Sequence, residues 1–142
     1  MAGVSSYSEP MSQESLEALR AEYAAMSQRD WNAVLRTAHP DFELKVPGGG
    51  LDVEIISGVE KARRAFEEFF SPFDAVSVEP EAFFEGKGRI VVYFLQRARP
   101  VGSSAFVERR AAHLWTMRDG RAAKLEIFPE RVQALEAAGL SE

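Results

Sequence analysis

Three polar side chains in the C-terminal half of the chain, Gln96, Arg109 and His113, have the chemistry of a ligand site. A neutral histidine can take up or release a proton near neutral pH, or it can hydrogen-bond a bound oxygen. An arginine that faces inward requires a carboxylate or an anionic ligand, because burying its charge alone is costly. Two interpretations of His113 stay open: a group that acts on a ligand, and a core histidine bonded to its neighbours.

Strand pairing decides whether these side chains meet. If Gly102-Ser103 centres the turn between two predicted strands, Gln96 lies opposite Arg109. The same register pairs Arg97 with Glu108 on the other face, and an opposite-charge pair supports this choice. We therefore expect the three polar side chains to share the face that helices cover.

The turn at Asp119-Gly120 leaves two registers for the next strand. A two-residue turn places His113 opposite Glu126, whereas a three-residue loop with Gly120 in a left-handed bulge places it opposite Leu125. We favour the second register, because it puts apolar side chains beside His113. Those side chains are Leu125, Ile127 and Trp115.

An apolar wall for the same site is predicted on a helix in the middle of the chain. Phe66, Phe69 and Phe70 fall on one side of this helix at helical spacing, and Phe73 continues the series. Aromatic residues on such a stripe are usually core, and a pocket wall is core with a ligand-sized gap. The predicted ligand contacts besides His113 are Gln96, Arg109, Trp115, Tyr23, Phe66, Phe70, Phe94, Leu125 and Ile127.

Apolar residues at helical spacing predict three helices in the first half of the chain, and strands follow. The helix limits are a start at Ser12, a cap at Asp30 with an end at His39-Pro40, and a Ser57/Glu60 capping box with an end at Pro72. The predicted strands are residues 41–46, 53–56, 75–85, 89–99, 106–117 and 122–128. Helices on one side of an antiparallel sheet make an α+β fold.

A fourth, short helix closes the chain. Pro129 suits a first helical position and Gly139 suits the residue after a helix end, where Leu140 folds back onto Leu135. Residues 1–11 have no periodicity and are expected to form a disordered tail. Residues 12–142 are therefore expected to form a single domain.

The composition excludes several classes of function. With 142 residues, a net charge of -5 and no cysteine, the chain suits one domain without disulfides or thiol chemistry, and its charge does not favour nucleic acid. No apolar run approaches the length of a membrane span and nothing at the start resembles a signal peptide, so we expect a cytoplasmic protein without membrane contact. Two well-separated histidines predict no metal site, and no motif indicates a cofactor or a covalent nucleophile.

Five stretches are shared with a known family: RDWNAVL at 29–35, HPDFEL at 39–44, GVE at 58–60, AHLWTMRDG at 112–120 and ALEAAGL at 134–140. They resemble the SnoaL-like branch of the nuclear transport factor 2-like superfamily. The resemblance implies a cone-shaped fold in which a curved antiparallel sheet wraps around three N-terminal helices, with a short C-terminal helix. It also implies a homodimer through the outer face of the sheet.

The resemblance adds one role and removes another. His113 matches the position where isomerase-type members carry a pocket acid that hydrogen-bonds the substrate oxygen. The position of their general-base aspartate is occupied here by Val46, just before Pro47, with Leu44 in the place of a frequent tryptophan. The resemblance therefore implies His113 as the acid or base and argues against steroid-type isomerisation.

Two hypotheses of different classes remain. In the first, the protein binds a small, largely apolar molecule and, if it is an enzyme, transfers protons as a cyclase, isomerase or dehydratase does. In the second, it is a non-catalytic dimeric binding or interaction module whose pocket is filled by its own side chains. An interior without a cavity would favour the second hypothesis.

Overall fold

The structure is a computed structural model that describes residues 13–47 and 53–142. The predicted tail, the Ser12 cap and the glycine loop after Pro47 lie outside these ranges. The helices are α1 (Gln13–Ser27), α2 (Trp31–Val34), α3 (Val59–Phe70) and α4 (Arg131–Ala138). The strands are β1 (Ala38–Pro47), β2 (Val53–Ser57), β3 (Phe73–Gly86), β4 (Arg89–Pro100), β5 (Val107–Arg118) and β6 (Arg121–Phe128).

The strands form one curved sheet in the order β2-β1-β6-β5-β4-β3. All neighbours are antiparallel except β1 and β6, which run parallel because the chain crosses from one half of the sheet to the other between them. The predicted α+β class, with helices against an antiparallel sheet, is confirmed.

The inner face of the sheet packs against α1, α2 and α3. Its alternating residues join the apolar sides of these helices in one buried cluster. The centre of that cluster includes Tyr23, Phe42 and Leu125, none of which is accessible to solvent. Asp30 caps α2 as predicted, since its carboxylate accepts a hydrogen bond from the Ala33 N–H.

The outer face of β4 and β5 is covered by α4. Leu135 and Leu140 pack there against Val91 and Leu114 in a second buried cluster. The predicted end of this helix is confirmed, because Gly139 has a φ of 73° and the Leu140 N–H bonds the Leu135 carbonyl at 3.0 Å. The predicted start at Pro129 is wrong, since α4 begins at Arg131.

Two other predicted helix limits are wrong. The second helix ends at Val34, and His39 with Pro40 lies in β1, because the backbone before a proline favours the extended conformation. Ser57 does not cap α3 either. It is the last residue of β2, and Gly58, with a φ of 100°, precedes the helix while its N–H bonds the Phe42 carbonyl at 2.7 Å.

The register of the hairpin formed by β4 and β5 is the predicted one. Gln96 pairs with Arg109 and Arg97 pairs with Glu108, whose side chains are joined by a hydrogen bond of 2.9 Å. His113 pairs with Val92 in the same register. The inner face of both strands therefore carries the side chains that the turn at Gly102-Ser103 predicts.

Both registers considered for β6 are wrong. Asp119 and Gly120 have φ values of 55° and 75°, which make a two-residue turn, and Arg118 pairs with Arg121. A bulge beyond Ala122 then shifts the pairing by one residue, so His113 lies opposite Ile127. The expected face is nevertheless kept, because Leu125 pairs with Trp115.

Candidate functional site

A cavity of about 450 Å³ lies between α3 and the inner face of the sheet. Most of its wall is apolar, and Phe66 and Phe70 of α3 face Phe94 and His113 of the sheet across it. Exposed side chains stand at its rim. The lining residues are Met26, Val46, Pro47, Glu54, Phe66, Phe69, Phe70, Phe73, Val78, Phe94, Gln96, Arg109, His113, Ile127 and Pro129.

His113 is held in the wall by aromatic rings. The Phe94 ring stacks on the imidazole with centroids 4.3 Å apart, and the ring of Trp115, on the same strand, is nearly perpendicular to it with centroids 6.2 Å apart. The side chain is 6% exposed, and it is the one buried polar residue of the described chain. Strand alternation turns it inward, and the register of β4 places Phe94 beside it.

A chain of hydrogen bonds reaches His113 from behind the wall. The Trp115 indole N–H donates to the Tyr23 hydroxyl oxygen at 3.0 Å. That hydroxyl lies 2.7 Å from Nδ1 of His113. No side-chain nitrogen or oxygen of the described residues is fully buried without a partner, and Nε2 makes no hydrogen bond with them. Nε2 is therefore open to the cavity.

The environment keeps the imidazole neutral. Burial is the main cause that lowers the pKa of His113 to about 3, and the positive charge of Arg109 lowers it further. Burial likewise raises the pKa of Tyr23 well above its ordinary value. Both groups are thus uncharged at neutral pH, and the two side chains meet as neutral hydrogen-bonding partners.

Arg109 and Gln96 stand on the rim side of His113. They are paired across β4 and β5, and both line the cavity. Arg109 is exposed, and it makes no ion pair with the part of the chain that the structure describes. Glu54 of β2 is an exposed acidic residue at the same rim. A positive charge without an ion-pair partner among the described residues therefore stands beside the opening.

Seven of the predicted contacts lie in the cavity wall and three do not. The seven are His113, Gln96, Arg109, Phe66, Phe70, Phe94 and Ile127. Tyr23, Trp115 and Leu125 lie behind the wall, fully buried, where Tyr23 and Trp115 support His113 and Leu125 belongs to the core.

Eight wall residues are not among the predicted ligand contacts, although two of them, Phe69 and Phe73, belong to the predicted apolar wall; the eight are Met26, Val46, Pro47, Glu54, Phe69, Phe73, Val78 and Pro129. Only a few had a signal in the sequence. Val46 occupies the position that the resemblance assigns to the general base of isomerase-type members. The predicted phenylalanine series of α3 includes Phe69 and continues to Phe73 at the start of β3. Within residues 13–47 and 53–142, no group of three or more histidine and acidic side chains is placed to hold a metal ion. In the same ranges no helix is long and apolar enough to cross a membrane.

The curved sheet, the N-terminal helices inside it and the short C-terminal helix define a cone-shaped α+β fold. Residues 19–125 match the SnoaL-like domain family, which is more than half of the chain. The chain therefore belongs to the SnoaL-like branch of the nuclear transport factor 2-like superfamily. A comparison with curated protein sequences gives no significant match.

Solved structures are similar over most of the chain. TerC, crystallised with polyporic acid, is 26% identical with a TM-score of 0.70, covering 85% of this chain and 97% of TerC. A nuclear transport factor 2-like protein of unknown function from Burkholderia pseudomallei K96243 is 25% identical with a TM-score of 0.70, covering 89% and 97%. A protein named as a SnoaL-like polyketide cyclase from Jannaschia sp. CCS1 is 17% identical with a TM-score of 0.69, covering 84% and 88%, which is a likeness of fold alone.

Proposed function

We propose that this protein binds a small, largely apolar molecule through a carbonyl or carboxylate oxygen. The observation that carries the proposal is an apolar cavity of about 450 Å³ with one neutral imidazole in its wall. This volume is in the range of small-molecule sites, which combine apolar walls with a few polar groups. His113 binds the ligand oxygen, and Arg109 with Gln96 completes the polar side of the site.

The same geometry limits the chemistry of His113. A pKa of about 3 makes its imidazole a weak base at neutral pH. Val46 lines the cavity at the position of the family's general base and cannot take a proton. The second candidate function, proton-transfer chemistry of the cyclase, isomerase or dehydratase type, is supported by family membership. In that case His113 stabilises a developing negative charge on the substrate oxygen.

The alternative of an interaction module with a filled pocket has less support. The aromatic residues that would fill the interior, Phe66, Phe70 and Phe94, surround the cavity instead. A homodimer through the outer face of the sheet remains part of the proposal. Since α4 covers β4 and β5, a partner subunit would contact the outer side of β1 and β6, where Lys45 lies 3.5 Å from Glu126. Light scattering on the purified protein tests this.

Titration with polyporic acid tests the binding proposal. This compound is chosen because TerC was crystallised with it, and it joins phenyl rings to the acidic oxygens of a dihydroxyquinone. We expect saturable heat in calorimetry, with affinity lowered at least about tenfold in His113→Ala, as loss of a charge-assisted or buried hydrogen bond implies. His39→Ala, at the other end of β1 from the cavity, is the matched control. Equal affinity in wild type and His113→Ala would contradict the role of His113.

A further inference from the structure

The hydroxyl of Tyr23 has its proton direction fixed by its neighbours. The Trp115 indole nitrogen can only donate, so at 3.0 Å the Tyr23 oxygen must accept from it. The Tyr23 side chain is 0% exposed, which leaves no water for its own proton. The remaining partner among the described residues is Nδ1 of His113 at 2.7 Å. The Tyr23 O–H therefore donates to Nδ1.

This direction determines the tautomer of His113. A neutral imidazole carries one proton, and a ring nitrogen that accepts a hydrogen bond cannot carry it. With Nδ1 accepting from Tyr23, the proton is on Nε2, the nitrogen that is open to the cavity. The opposite tautomer would have Nδ1–H donate to Tyr23 and would leave the buried Tyr23 O–H without an acceptor, which is unfavourable.

Arg109, the charged residue on the same side of the cavity, is also a hydrogen-bond donor. Arg109 carries only donors, like the Nε2–H of His113. Gln96, which pairs with Arg109, can donate or accept. A ligand group that meets both His113 and Arg109 must therefore offer acceptor atoms.

We propose that Trp115 and Tyr23 are positioning residues that hold His113 in its Nε2–H tautomer, so that the cavity selects ligands by an acceptor oxygen, either a carbonyl or an oxyanion. This inference rests on the proposed function for its ligand, and on the buried hydrogen bonds alone for its tautomer. An ammonium group, which only donates, is disfavoured at the position that meets both His113 and Arg109, since it would face two donors there.

Nitrogen-15 NMR of the ligand-free protein tests the tautomer directly. The chain has only two histidines, so a His39→Gln variant assigns the imidazole signals of His113. We expect Nε2 at the chemical shift of a protonated ring nitrogen and Nδ1 at that of an unprotonated one at pH 7. A protonated Nδ1 would overturn the proposal.

Tyr23→Phe tests whether the hydroxyl sets this state. It keeps the ring and removes the donor to Nδ1, so we expect both nitrogen shifts to move towards each other as the two tautomers mix. Wild-type shifts in Tyr23→Phe would overturn the positioning role of Tyr23. Phe84→Leu, a change of an aromatic residue in the outer-face cluster, is the control that should leave the shifts unchanged.

Two matched probes test the selectivity, 2-naphthoate and 2-naphthylmethylamine. We expect naphthoate to bind at least about tenfold more tightly, and Arg109→Gln to keep a preference for it because the Nε2–H remains. A preference for the amine would overturn the selection by acceptor atoms. If Nε2 is protonated but neither these probes nor polyporic acid binds, the proposed function fails while the tautomer assignment stands. If naphthoate binds tightly but Nδ1 is the protonated nitrogen, the proposed function stands and the tautomer assignment fails.

Discussion

The two faces of the sheet are both covered by helices, but their polar groups are used differently. On the outer face, the half-buried Arg131 of α4 donates to the carbonyls of Ala111 and Phe94 at 3.2 and 2.8 Å and to Glu81 at 2.5 Å. Its Nε and one terminal nitrogen thus have acceptors within the protein, and the guanidinium carbon lies 4.8 Å from the centroid of the Tyr93 ring. On the inner face, His113 has one nitrogen bonded and the other open to the cavity.

This difference distinguishes the side chains that hold α4 on the sheet from those that are available to a ligand. Arg131 and the leucines of α4 complete the fold, because their partners are within the chain. Arg109 and Nε2 of His113 lack partners within the described residues, although both line the cavity. A satisfied polar group stabilises a fold, while a positioned and unsatisfied one is available to a ligand. If stability and binding divide between the two faces in this way, changes on the outer face lower stability and changes at the cavity lower binding.

The largest effect on stability is expected on the outer face. Leu135→Ala removes a side chain of α4 that is 4% exposed and packs against the outer face of β4 and β5. The loss of buried surface and the resulting cavity should lower the free energy of unfolding by about 2–5 kcal/mol, measured by urea denaturation, while polyporic acid still binds to the folded fraction. Val132→Ala changes an exposed residue of the same helix (57% exposed) and should stay within about 0.5 kcal/mol of wild type. Equal losses in both variants would contradict the docking of α4.

The next largest effect is the loss of stability at low pH that burial of His113 causes. The unfolded His113 binds a proton near pH 6.5, whereas the folded protein does so only at about pH 3. The stability that neutral His113 contributes is thus complete above pH 6.5 and is lost as the pH falls towards 3, by at most about 1.4 kcal/mol per pH unit. Between pH 7 and 5, wild type should lose about 1–2 kcal/mol more than His113→Gln in urea denaturation. Identical losses in wild type and His113→Gln would show that burial does not lower this pKa.

Much of this contrast could be predicted from the sequence, because it depends on strand alternation. The turn at Gly102-Ser103 and the Arg97–Glu108 pair define the β4 and β5 register, and with it the shared face of Gln96, Arg109 and His113. The β6 register could not be predicted, since its bulge falls within an Ala122-Ala123 pair that has no distinguishing side chain. Contacts between distant elements, such as the bond from Tyr23 to His113, depend on how α1 rests on the sheet, which local patterns do not contain.

A smaller effect distinguishes the two arginines. Arg131→Met keeps the length of the side chain but removes its bonds to two backbone carbonyls and Glu81, so we expect a loss of about 1–2 kcal/mol of unfolding free energy. Arg109→Met should change stability by less than about 0.5 kcal/mol, because Arg109 is exposed. The order reverses for binding: Arg109→Met should weaken polyporic acid binding and Arg131→Met should not. Urea denaturation measures the stability of both variants, and calorimetry measures their binding. If both variants lose stability and affinity to the same extent, the proposed difference between the two arginines is wrong.

The smallest effect comes from Glu22, beside Tyr23 on α1. Burial raises its pKa to about 7 from 4.5, and it forms no ion pair with the described residues, in contrast to Glu81 on the outer side, whose bond to Arg131 lowers its pKa. A raised folded pKa means that stability is complete below pH 4.5 and is lost as the pH rises through 7. Glu22→Gln should therefore be more stable than wild type at pH 8, by less than about 1 kcal/mol after allowance for solvent screening, and equal to it at pH 4.5. Glu17→Gln, an exposed change on the same helix, should not show this pH-dependent gain. Because the changes with pH at Glu22 and His113 have opposite signs between pH 4.5 and 6.5, wild type should show a flatter stability profile there than Glu22→Gln does.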